Sequence, residues 1–130
     1  MGNDYILKPV RTAAIVGTSA FVAGTVLENL KFEDEVILLV DFIKGSLTDA
    51  SIKVEFSPDN SNFYQEVNEV MATGATTYAV VAITHTLDTT GKYRLAPIKI
   101  KDRYIKVSTL GTGNGTGSSL TIDAIIGQDN

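Results

Sequence analysis

Few side chains in this sequence could carry covalent chemistry. His85 is the sole histidine, and it stands between two threonines. A Ser-His-Asp arrangement needs a nucleophile held against its base, with an orienting acid behind it. No G-x-S-x-G turn is present to offer such a serine. A zinc centre needs several His or Cys ligands. One His and no Cys cannot supply them. His85 therefore reads as an ordinary surface or edge-strand residue. No catalytic residue, no enzyme activity and no cofactor are expected.

Carboxylates are the remaining source of chemistry. Glu33, Asp34 and Glu35 are consecutive, with Glu28 nearby. Such oxygens suit a hard cation such as calcium. The plainer reading is a solvated loop leading into a strand, and no metal site is expected. Asp59, Asn60 and Asn62 miss the D-x-[DN]-x-[DN]-G spacing of a calcium loop. They read as turn formers, since short polar side chains bond their own backbone. The glycines of Gly111 to Gly117 miss the G-x-G-x-x-G pattern and lead into a strand, so no helix N-terminus follows to hold a phosphate. That segment reads as a mobile hairpin tip. Asn114-Gly115-Thr116 is a glycosylation sequon, incidental without a secretion signal.

The charge is segregated along the chain. Lys92, Arg94, Lys99, Lys101, Arg103 and Lys106 hold six of the eleven basic residues, while Asp4, Glu28, Glu33, Asp34, Glu35 and Asp41 lie in the first 41 positions. Lysines on an edge strand block unwanted pairing. Nucleic-acid binding would need stacking aromatics beside the bases, and only Tyr93 and Tyr104 are near. The net charge of −4 points the same way. A third reading is complementary patches on neighbouring subunits. The candidate interface is then Lys92, Arg94, Lys99, Lys101 and Arg103 against Glu33, Asp34 and Glu35. Tyr64, Tyr78 and Tyr93 are candidate contacts for a sugar, because aromatic rings offer flat apolar faces with polar handles.

The elements that must position these residues are strands. The 130 residues suit one domain, long enough to bury a core without staples. Apolar residues make up 44%, within the globular range. No apolar run approaches the ~20 residues of a membrane helix, and the N-terminus lacks the basic and apolar regions of a signal peptide. Val, Ile, Thr and Tyr punctuated by Gly is strand-and-turn composition. About eight strands are expected, in a single antiparallel β-sandwich of jelly-roll type. Glu35 to Lys44 reads as a buried central strand. Ser51 to Ser57 alternates, with Ile52, Val54 and Phe56 facing the core. Pro58 ends it, and Phe63 to Val67 restarts the chain as the second arm of a hairpin. Thr77 to Leu87, Lys92 to Ile100 (interrupted at Pro97), Arg103 to Leu110 and Leu120 to Ile126 follow as strands, and Ala13 to Thr18 and Phe21 to Leu27 precede them as short ones interrupted by Gly17 and Gly24. Residues 1–11 read as an N-terminal arm and 127–130 as a polar tail. A short helical turn is possible only within Val67 to Thr73.

Two segments resemble discoidin-like, galactose-binding-like jelly rolls. In KVEFSPDNSNFYQEV the resemblance rests on Ser57, Asp59 and Phe63, with Asn60 where Gly is usual. In LAPIKIKDRYIKVS it rests on Arg103, Tyr104, Ile105 and Val107. The Trp and terminal Cys pair usual in that family are missing. A longer pattern, Leu38 to Glu66 together with Asp102 to Gly127, resembles small tailed-bacteriophage virion proteins of the head-decoration or auxiliary capsid type. That resemblance implies a virion structural protein: a homo-oligomer, often a trimer, on the head exterior, bound to the major coat protein or other virion proteins and made in the host cytoplasm. The first resemblance implies an alternative, a carbohydrate-binding module that attaches to a surface glycan.

Overall fold

The structure is a computed structural model that describes residues 3–28, 30–31 and 34–129. It is all-β among these residues, with twelve strands. These are β1 (Asn3–Ala14), β2 (Val22–Ala23), β3 (Glu35–Ile43), β4 (Leu47–Ser57), β5 (Tyr64–Gln65), β6 (Val67–Val70), β7 (Ala79–Ala82), β8 (Thr84–Leu87), β9 (Gly91–Arg94), β10 (Ile98–Lys99), β11 (Tyr104–Gly113) and β12 (Ser119–Asp129).

Two five-stranded sheets make the sandwich. In the first, the order is β1-β12-β3, and both β9 and β10 lie along the outer edge of β3. In the second, the order is β2-β11-β4, and both β8 and β5 lie along the outer edge of β4. The pairs nest from the outside in: β1 with β12, β2 with β11, β3 with β9, and β4 with β8, all antiparallel. One long antiparallel ribbon rolled on itself has this pairing, and that is the jelly-roll order. Strands β6 and β7 form a separate two-stranded ribbon.

Alternation builds the core, because successive side chains of a strand point to opposite faces. Val36, Leu38, Val40 and Phe42 of β3 face Ala50, Ile52, Val54 and Phe56 of β4 in one buried cluster. Ile105 and Val107 of β11 and Leu120, Ile122, Ala124 and Ile126 of β12 complete it. Each large side chain taken fully from water contributes about 1.5–3 kcal/mol before entropy is counted. Strand β3 was expected to be buried throughout. It is buried on one face only: Ile37 and Leu39 are half-buried and Ile43 is exposed.

Four expectations are corrected. The arm expected at residues 1–11 is part of a sheet: β1 pairs with β12 from Asn3 opposite Asp129 to Ala14 opposite Leu120. Pro9 is tolerated there because β1 is an edge strand, where a missing N–H costs little. The tail expected at 127–130 continues β12 as far as Asp129. The possible helical turn at Val67 to Thr73 is strand β6 through Val70. Thr77 to Leu87 is two strands, β7 and β8, broken at Ile83.

The tip after β11 is held by hydrogen bonds from several sides. The Asn114 carboxamide oxygen accepts from the Thr116 amide at 2.9 Å and its hydroxyl at 2.7 Å. The Ser118 hydroxyl donates to the Gly115 carbonyl at 2.6 Å and accepts from the Val16 amide at 3.1 Å. The Ser46 amide donates to the Thr116 carbonyl at 3.0 Å. Gly45 lets the β3–β4 turn approach this tip. It has φ +56, and a side chain there would fall 2.5 Å from the Gly117 carbonyl carbon.

Candidate functional site

The residues singled out for chemistry are scattered. His85 lies on edge strand β8, half-buried, opposite Ile52 of β4. Among the described residues, no group of three or more His, Cys, Asp or Glu could hold a metal ion. Asp34 precedes β3, where its carbonyl accepts the Ile100 amide at 2.7 Å, and Glu35 opens that strand. Glu33 lies outside the described residues.

The turn at Pro58 to Asn62 is organised by one carboxylate. Asp59 Oδ1 accepts the amides of Ser61 at 2.9 Å and Asn62 at 2.8 Å. It also accepts the Ser57 hydroxyl at 3.0 Å, while Asp59 Oδ2 accepts the Asn62 carboxamide at 2.9 Å. Hydrogen bonds to the charged form favour it. The amides of Asn62 and Ser61 therefore hold the Asp59 carboxyl far below the usual carboxylate range, with the Asn62 and Ser57 side chains adding to them. Asn60 takes a left-handed conformation at φ 60, which explains an Asn where a Gly would also fit. Both Asp59 carboxylate oxygens are engaged within the turn itself, so the carboxylate builds the end of the hairpin.

The charge segregation along the chain is undone by antiparallel pairing. Strand β9 runs along β3, so Lys92 stands opposite Asp41 and their side chains pair at 2.8 Å. Arg94 stands opposite Leu39, whose other neighbour is Asp123 of β12. Lys99 of β10 stands opposite Glu35. Lys101 pairs with Glu66 at 3.0 Å. Arg103 is exposed before β11. Lys92, Arg94 and Lys99 thus lie among acids on the outer face of the first sheet instead of forming a separate basic pole. Exposed pairs of this kind contribute little to stability.

The outer face of the other sheet carries a denser cluster. Glu55 lies 3.6 Å from Lys53 Nζ and 3.8 Å from Lys106 Nζ. Phe21 sits under Lys53 at 4.4 Å and Phe63 under Lys106 at 4.3 Å. The aromatic faces attract the ammonium groups and screen them from water. Phe63, which restarts the chain after the Pro58 turn, thus covers the outside of the sheet.

The tyrosines occupy three separate places. Tyr93 is half-buried on β9, packed against the core, and its hydroxyl donates to the Thr89 carbonyl at 2.5 Å. Tyr64 is exposed on β5, at the edge of the second sheet. Tyr78 is exposed beside β7 of the ribbon. A sugar platform would have to rest on one of them alone.

Sequence patterning missed the most unusual surface. The chain leaves the edge of the second sheet after Gln65, forms β6, returns as β7 and rejoins the sheet at Thr84. The root is closed by the Ile83 amide donating to the Glu66 carbonyl at 3.0 Å. Every position in β6 and β7 is exposed. Val67, Val70, Met71, Tyr78, Val80 and Val81 are large apolar residues left in water, Val80 to 67%. The register places Glu69 opposite Val80 and Asn68 opposite Val81, so apolar groups lie on both faces of the ribbon. The available signal was that Glu69 is the sole charge from Val67 to Ile83.

A groove of about 390 Å³ runs beside the ribbon root. Val54, Ile83 and His85 come from the second sheet and ribbon root, Val67 and Asn68 from the ribbon itself, and Pro97 and Ile98 from the edge of the first sheet; Lys99, Lys101 and Glu66 also line it, and Lys101 pairs with Glu66.

Comparison with known proteins fits this picture at the level of fold. No family model matches the sequence. No curated protein matches it at a significant level. Among solved structures, the chain is similar to the crystal structure of SPBc2 prophage-derived protein YomS. The two share 16% sequence identity with a TM-score of 0.56, over 98% of this chain and 96% of that one. The likeness therefore spans the whole sandwich and shows a common fold.

Proposed function

We propose that the chain is a non-enzymatic structural subunit of a phage particle, a capsid decoration or auxiliary protein on the head exterior. In this role it binds the coat lattice and neighbouring copies of itself. The observation that carries the reading is the apolar ribbon β6–β7, exposed on both faces. Contiguous exposed apolar surface of this kind marks a protein contact. The likeness in fold to a prophage-derived protein over the whole chain supports the phage setting. The pinned loops and self-satisfied turns support a scaffold that presents a surface.

The test is sedimentation of the purified protein with purified phage heads. Saturable binding at a fixed ratio to the coat protein is expected. Failure to bind heads or any other virion component would contradict the proposal.

A further inference from the structure

The outer face of the first sheet holds a groove of about 390 Å³ that shares no residue with the groove at the ribbon root. The register places its walls. Lys92 and Arg94 of β9 stand along one side, Thr121 and Asp123 of β12 along the other, and Leu39 and Asp41 of β3 lie between them. These positions alternate with the core positions of the same strands, so their side chains project outward. Lys92 is engaged with Asp41 at 2.8 Å. Among the described residues, the side chains of Arg94, Thr121 and Asp123 make no hydrogen bond or ion pair. A guanidinium only donates and a carboxylate only accepts. Arg94 and Asp123 lie two strands apart, ~10 Å across the sheet, so they do not satisfy one another. On the second sheet the charges are paired and capped by Phe21 and Phe63. This groove instead leaves a donor and an acceptor open on either side of Leu39.

We propose that this groove binds a neutral saccharide, a short glycan whose hydroxyls bridge Arg94 and Asp123 over Leu39. Two bases and two acids line the groove, so it gives no net attraction to a polyanion or a polycation. The ligand must accept at one side and donate at the other. A hydroxyl does both, and a glycan carries hydroxyls along its whole length. The Thr121 hydroxyl adds a further partner on the β12 side. Leu39 and the neighbouring pair Ile37 and Ile125, all half-buried on this face, give the C–H face of a sugar ring an apolar floor. A peptide would instead bring backbone N–H and C=O groups to the face of a sheet whose own backbone groups are paired within it. The volume lies within the roughly 300–1,000 Å³ of small-ligand sites, where an apolar floor with a few placed polar groups is the usual lining. The site uses neither Tyr64 nor Tyr78, and it lies apart from the ribbon, so it goes beyond the virion reading and neither depends on the other.

The experiment is a nuclear magnetic resonance titration of the full chain, labelled with nitrogen-15. The probes are lactose, maltose, cellobiose and diacetylchitobiose, with sialyllactose as the charged comparison. At least one neutral disaccharide is expected to shift the amides of residues 39–41, 92–94 and 121–123 saturably at millimolar concentration. Arg94→Ala and Asp123→Asn change outward positions beyond the core. Each is expected to weaken that binding at least about tenfold, the loss of one charged hydrogen bond. Lys53→Ala, on the outer face of the other sheet, is expected to leave it unchanged. Thermal melts verify folding, and if a variant does not fold, the map of shifted amides on the wild-type chain decides. The absence of any saturable shift at tens of millimolar sugar overturns the proposal. Shifts confined to the strands around Tyr64 or Tyr78 overturn it as well, as does tighter binding of sialyllactose than of lactose. So do variants that bind as well as the wild type. Head binding by a chain that ignores every sugar sinks the glycan site and leaves the virion role standing. Sugar binding at these strands by a chain that ignores heads does the reverse.

Discussion

Glu69 and Val80 stand opposite one another across the β6–β7 ribbon, and both are exposed to water. A charge and a large apolar group left side by side in water suit a surface that meets another protein. The rest of the molecule also exposes Leu7, Ile15, Val22, Ile43 and Tyr64, but these are spread over different strands and loops. Its core is one cluster shared by two sheets, and its outer faces carry paired charges.

Hydrogen exchange should separate the ribbon from the sandwich. Amides of residues 67–82 are expected to exchange fast in dilute protein, because their strands have open edges and no covering layer. Strands β3, β4, β11 and β12 should exchange slowly under the same conditions. Raising the protein concentration is expected to slow the ribbon amides about tenfold or more, which corresponds to ~1.4 kcal/mol of contact.

The Asp59 carboxylate predicts an acid dependence. Its pKa is lower in the fold than in the unfolded chain, chiefly through the amides of Asn62 and Ser61. Its stabilising effect is therefore complete above the unfolded value of about 4. It is lost as the pH falls through the lower folded value. Asp59→Ala should melt below the wild type at pH 7. The gap between them should narrow as the pH drops below about 4, in melts followed by circular dichroism.

Asn60 tests the backbone of the same turn. Its φ of 60 lies where Gly and Asn are tolerated and branched residues are strained. Asn60→Gly should change stability by only a few tenths of a kcal/mol, whereas Asn60→Val should cost about 1–2 kcal/mol. Urea unfolding midpoints would distinguish them.

Gly45 and Gly74 make a matched pair. Both have positive φ, but a side chain at Gly45 would collide with backbone at 2.5 Å, and one at Gly74 would meet nothing within 4 Å. Gly74→Ala should therefore cost only the conformational term of about 1 kcal/mol. Gly45→Ala should cost clearly more than that, because the β3–β4 turn must move away from Gly117. Denaturant unfolding of the two variants side by side checks the order.

Much of the sandwich was legible because alternation speaks directly of a half-buried strand. Ile52, Val54 and Phe56 face inward as their spacing implies, and Pro58 ends the strand. The N-terminal strand was hidden by Lys8, Pro9 and Arg11, which look like a solvated arm. Arg11 instead spans a register shift in β1 and donates to the Leu120 carbonyl at 2.7 Å and the Ile15 carbonyl at 2.9 Å. The interface residues were grouped by their distance along the chain. Antiparallel pairing brings Lys92 to Asp41 from 51 positions away, so a linear charge map could not show the mixed face. The ribbon was not foreseen for a different reason. Tyr78 to Ala82 has the composition of core, and sequence alone does not separate burial within a chain from burial between chains.

In the proposed role, copies of the chain meet through the ribbon. The most direct test is the mass of the protein by sedimentation equilibrium over a wide concentration range. The mass is expected to rise from the 13.9 kDa of one chain to a small whole multiple of it, a rise abolished or shifted to higher concentration by Val80→Glu. A mass of 13.9 kDa at every concentration would contradict it, as would an association that Val80→Glu leaves unchanged.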